Sequence, residues 1–201
     1  MQTEWLKFKK YPHIGKPLTS TKDSVWVENY VTNPEKIINH KFTPLLHRVI
    51  TQRKFRPDES AAKNASGKRI RIAKEPKKRH IYYPSHLDSI IYSYYNSVLT
   101  KAYEEYLHDK EYSSVAVAYR KIPKSDVANG NKCNIEFAAD AFQFIMNNRH
   151  RKISVIIADI TSFFDNLDHR VLHKQWKMVM RVEDLPLDHY KIYKNLVESG
   201  K

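Results

Sequence analysis

The residue best placed to do chemistry is Asp159, the one carboxylate in the run ISVIIADI over residues 153 to 160. Its neighbours are apolar and rich in β-branched side chains, the composition of a strand buried on both faces. An ionised carboxylate at the end of such a strand is costly unless an opposite charge, a hydrogen-bond donor or a metal ion compensates it. Two uses fit the position: a strand-end Asp that caps the next turn or pairs with an arginine, and an acidic ligand in a catalytic centre. A second group is electrostatic. Between residues 63 and 79 stand eight Lys or Arg and one Glu, an excess that suits a polyanion better than bare solvent. The other histidines have no metal-ligand spacing, no Ser, His and Asp arrangement competes, and the four glycines make a phosphate-cradling loop improbable.

These residues need elements to hold them. Asn33 and Pro34 predict a helix start, and Pro44 predicts an end or kink followed by a second helix carrying Leu45, Leu46, Val49 and Ile50. Residues 54 to 67 mix charge with small side chains and read as a loop or hinge. A hairpin is expected next, with KRIRIAK and KRHIYYP as its strands and Glu75 and Pro76 as its turn. Helical spacing from 85 to 107, with Ser85 as N-cap, predicts a long buried helix. A second helix is expected from about Asn134 to Asn148 with its apolar residues on one face, and two more after Asp168 and after Asp188.

Composition sets the class. The chain has 201 residues, 41% of them hydrophobic, with 13 Tyr, 8 Phe and 3 Trp, enough for one sizeable core or two small lobes. Its formal net charge of +13 makes nucleic acid the first partner to consider. The lone Cys133 excludes an intrachain disulfide or a Cys-rich zinc site and fits a reducing cytoplasm. No signal peptide and no membrane span are expected, since charge interrupts every apolar stretch.

The full run IADITSFFDNLDHRVL resembles the first catalytic motif of reverse transcriptases, especially their group II intron, retron and antiphage-defence branches. It joins an apolar strand, Asp159, the aromatics Phe163 and Phe164, Asp165, and Asp168 with His169 opening a helix. Upstream, KKRHIYYPSHLDSIIYSYYNSVLTKAYEEYL resembles that family's fingers block. The stretch SSVAVAYRKI looks like the block that usually reads S-x-x-F-R-P, with Tyr119 and Arg120 matching and Lys121 and Ile122 departing. The resemblance covers residues 68 to 180.

It implies an α+β fold: right-hand polymerase fingers with the beginning of the palm, preceded by a helical N-terminal extension. The expected divisions are 1–67 for the extension and linker, 68–150 for the fingers, and 151–201 for the start of the palm. It also implies RNA-directed DNA polymerase activity, in which two Mg²⁺ ions held about 3.5 to 4 Å apart assist transfer from a dNTP to a primer 3′-hydroxyl. Asp159 would bridge those ions and the carbonyl of Ile160 would complete one coordination sphere. Arg79, helped by Lys78 or Lys77, would grip the triphosphate. Phe164 would be the steric gate against a 2′-hydroxyl, with Phe163 beside it and read first as core. Lys68, Arg69, Arg71, Lys77 and Arg120 would contact nucleic acid, while Asp165, Asp168 and His169 would be structural.

The Tyr-x-Asp-Asp box that supplies such enzymes' other carboxylates has no counterpart here, so the chain is expected to be a fragment, inactive by itself. The partners implied are an RNA template, with a dedicated noncoding RNA usual among such relatives, dNTPs and the cDNA product, with a role in antiphage defence and a cytoplasmic location. The alternative is a catalytically inactive, reverse-transcriptase-like RNA-binding module.

Overall fold

The structure, a computed structural model, describes residues 4–124, 130–161 and 163–198, with only the backbone of Phe164 and Asp165. Among the described residues it is an α+β fold of six helices and one two-stranded antiparallel sheet. The chain divides into two compact units, Met1–Leu99 with Asp184–Lys201, and Thr100–Glu183.

In the first unit, α1 (Ser20–Val31) and α2 (Pro34–Ile38) form the expected helical start, and the Asn33 side chain accepts from the Lys36 amide at 3.2 Å. The helix expected after Pro44 does not form. Leu46–Pro57 is instead strand β1, paired with β2 (Arg71–Tyr83) from Leu46 opposite Tyr83 to Pro57 opposite Arg71. The β-branched trio Val49, Ile50 and Thr51 favours the extended backbone, a local preference that the proline signal had masked.

The hairpin is therefore larger than expected, and its turn lies between residues 57 and 71. Glu75 and Pro76 do not turn the chain. They sit inside β2 where the register shifts, the two of them facing Arg53 alone between the pairs Gln52–Lys77 and Lys54–Lys74. A β-bulge is one of the few places in a ladder that tolerates a residue without an N–H.

Helix α3 (His86–Asp109) begins as expected, with the Ser85 hydroxyl accepting from the Asp88 amide at 3.1 Å. Ile90, Ile91 and Tyr95 on α3 are buried, as are Val27, Val31, Ile37 and, on α6 (Leu187–Glu198), Ile192. Burying each such side chain contributes roughly 1.5 to 3 kcal/mol. Asp88, also buried, ties the helices together: it accepts from His40 at 2.7 Å and from the Thr43 amide and hydroxyl at 3.1 and 2.6 Å. Tyr30 meets the other ring nitrogen of His40 at 2.9 Å. Burial pushes the Asp88 carboxyl up, but the hydrogen bonds from His40, Thr43 and Ser85 outweigh it and hold the group below its ordinary value.

The second unit contains α4 (Asn134–Asn147) and α5 (His169–Met180). Asp168 caps α5, its Oδ1 accepting from the Arg170 and Val171 amides at 2.8 and 3.3 Å. Trp176 on α5 is buried, but α4 buries none of its residues, so its apolar face is not turned into a core. Residues 153 to 160, expected as a buried strand, form no strand and are exposed, Ile156 at 89% and Ile157 at 93%. A strand requires hydrogen-bonded neighbours, and both strands of the only sheet among the described residues are in the first unit. No helix among the described residues is long and apolar enough to cross a membrane.

Candidate nucleic-acid interface and catalytic carboxylate

The two strands of the first unit make an exposed basic ribbon. Arg48, Arg53, Lys54 and Arg56 on β1 and Arg71, Lys74, Lys77, Lys78 and Arg79 on β2 face a single acid, Glu75. Opposed residues of an antiparallel pair share a face, and successive residues alternate. One face accordingly carries Arg48, Lys54, Arg56, Lys74, Lys77 and Arg79. The other carries His47, Val49, Thr51, Phe55, Arg71, Lys78, His80 and Tyr82. Arg79 thus shares its face with Lys77, while Lys78 points away from both. Lys68 and Arg69 stand, exposed, in the connection leading to Arg71, the first residue of β2.

Lys54 and Lys74 stand directly opposite each other, an arrangement that destabilises a ladder. A two-stranded ribbon is already marginal in water, so this repulsion favours any polyanion that neutralises it. The charges have a second consequence: they keep the two open strand edges from pairing with other chains. Sequence reasoning found the β2 cations and missed those of β1, although the β-branched trio in RVITQRKF was a readable signal.

In the second unit Asp159 lies exposed on the 153–160 run. The expected desolvation cost is absent, and with it the argument that this carboxylate must be compensated. Phe163 opens a short 3-10 turn, Phe163–Asn166, and is 46% exposed, which corrects its assignment to the core. The Phe164 side chain lies outside the described residues. Among the described residues no group of three or more His, Cys, Asp or Glu is placed to hold a metal ion.

Arg120 has a different role from the expected one. Its guanidinium makes a two-toothed pair with Glu104 at 2.8 and 2.6 Å and donates to the carbonyls of Ser113 and Ala116 at 2.7 and 2.6 Å. This fixes the loop after α3, and its nitrogens are spent on protein acceptors. The same pairing holds the Glu104 carboxyl below its ordinary value. Beside it Tyr119 sits at φ 60°, in the left-handed region, with its side chain 98% exposed.

No family model matches the chain, and no curated protein matches it.

Proposed function

We propose that this chain is the fingers and the first part of the palm of an RNA-directed DNA polymerase of the bacterial reverse-transcriptase type, with antiphage defence as its setting. The observation that carries the reading is the run IADITSFFDNLDHRVL, in which Asp159, Phe163, Phe164 and Asp168 stand in the order and spacing of that family's first catalytic motif. Asp168 as the cap of α5 supports it, because the motif then ends in an ordered turn that leads into a helix.

In the reaction proposed, a primer 3′-oxygen forms a bond to the α-phosphorus of a dNTP, the bond from that phosphorus to the pyrophosphate breaks, and the hydroxyl proton is released. The ribbon would hold nucleotide and template, Arg79 and Lys77 from one face. Asp159 would contribute one acidic group. The described residues form no cluster of three or more potential ligands, so the remaining acidic ligands are assigned to segments outside them. The exposed run 153–160 supports this, since its composition is that of a central strand and it has no partner strand among the described residues.

The test is template-directed extension by the native protein with its bound RNA, comparing dNTPs with rNTPs. The complete protein is expected to incorporate deoxynucleotides selectively, and a Phe164→Ala variant to gain ribonucleotide incorporation, because removing a flat ring opens space for the 2′-hydroxyl. A variant with unchanged selectivity would remove Phe164 from the gate role.

A second reading is a noncatalytic RNA-binding module. It is favoured by the ribbon itself, whose charge and exposure suit polyanion binding with or without chemistry.

A further inference from the structure

Beyond its cations, the ribbon carries a ring surface. His47 and Tyr82 pair across the strands with centroids 4.7 Å apart and planes within 17°. His47 and His80 are 5.1 Å apart with planes within 7°, and His47 Nε2 meets His80 Nδ1 at 2.9 Å, so one ring donates and the other accepts. That bond fixes both imidazoles in nearly one orientation, and Tyr82 extends the surface while remaining 55% exposed. On the same face Thr51 and Lys78 are paired, placing a cation one step from the rings.

Tyr82 also lines a hollow of about 410 Å³ in the first unit. Its wall includes Phe42 and Tyr92, stacked at 5.5 Å with planes within 19°. Aromatic surface therefore continues from the base of the ribbon toward α3. The opposite face of the ribbon, with six cations, has the chemistry of a phosphate track; the ring it carries, Tyr83 at the base, packs against Tyr11 with centroids 5.0 Å apart.

We propose that the His47–Tyr82–His80 face is a stacking platform for unpaired bases of a single-stranded polynucleotide. This deepens the nucleic-acid reading of the ribbon and rests on it, but it is independent of any polymerase chemistry. A duplex keeps its base faces inside its own stack and offers phosphates and groove edges; only an unpaired base can lay its face on an exposed ring. Lys78 would neutralise the phosphate beside the stacked base. Every base has such a face, so the platform should tolerate sequence, and it touches no group that distinguishes ribose from deoxyribose.

The experiment measures fluorescence anisotropy of labelled RNA and DNA strands, their duplexes, and a single strand with abasic positions, using the intact protein over a series of salt concentrations. Replacing a stacked ring by alanine is expected to weaken single-strand binding by about 5- to 160-fold. Tyr82→Ala and His47→Ala should show that loss with RNA and DNA strands alike, without changing the salt slope, while duplex binding is little altered. Tyr82→Phe keeps the ring and should retain affinity. For the wild-type protein, the abasic strand should bind about as weakly as the intact strand binds Tyr82→Ala, a comparison that needs no variant to fold.

An abasic strand that binds as tightly as the intact one would overturn the proposal. So would equal losses for single strand and duplex in Tyr82→Ala. In either case the ribbon would remain a phosphate-binding surface. Failure of every polynucleotide to bind would overturn the ribbon's nucleic-acid reading together with this one.

Discussion

Successive residues of a strand face opposite ways, and that separates Arg79 from its sequence neighbour Lys78 and joins it to Lys77. A planar guanidinium can hold two phosphate oxygens at once, so Arg79→Lys should lose affinity although the charge is kept. Removing the charges at Arg79 and Lys77 together should lower nucleic-acid affinity and flatten its dependence on salt, by about 0.7 to 0.9 in log–log slope for each phosphate that is no longer neutralised. Titration at a series of ionic strengths checks this, and an unchanged slope would take both residues off the phosphate. Arg120 illustrates what residue identity alone conceals. Its type and place in the chain suited a template-binding role, but its partners Glu104, Ser113 and Ala116 come together only in the folded chain.

At the scale of elements, the strongly marked ones were legible. Ser85, Asp168 and Asn33 announce helix starts through side chains that can satisfy free amides, and each does so in the structure. Ser85→Ala should cost about 1 kcal/mol, read as a shift in the midpoint of chemical denaturation. Strand β1 was hidden because Pro44 carries a helix-start signal while strand formation depends on partners that stand as far away in the chain as Tyr83 is from Leu46. Asp88 was equally hidden as a tie between helices, since its partners His40 and Thr43 are 48 and 45 residues distant. Asp88→Ala leaves those buried donors unmet and should cost roughly 3 kcal/mol, several times the loss of a cap.

For the whole molecule, the strong basic charge pointed to a polyanion and the structure collects much of it on one ribbon. The apolar run around Asp159 was legible as a strand by composition only, because no pattern in a chain states which neighbours are present to complete a sheet. Stability should follow pH in two steps. Burial lowers the affinity of folded His189 for a proton below its ordinary value of 6.5, so the unfolded chain binds protons more readily and stability is lost as pH falls below that value. Asp88 acts lower: its folded value lies under the ordinary 3.8, so its contribution persists above that value and disappears as pH falls through the folded one. Denaturation midpoints measured at about pH 7, 5 and 3 should decline at both intervals, and His189→Phe should remove the first decline. Identical profiles for the two proteins would assign that decline elsewhere.

The central claim is that Asp159 belongs to a polymerase centre. It is tested most directly by labelled dNTP incorporation, with Mg²⁺, by native protein purified from its own cells with bound RNA retained, beside an Asp159→Ala variant. The account predicts incorporation by the native protein and its loss in the variant. Incorporation that survives the loss of Asp159, or its absence from native protein still holding its RNA, would contradict it.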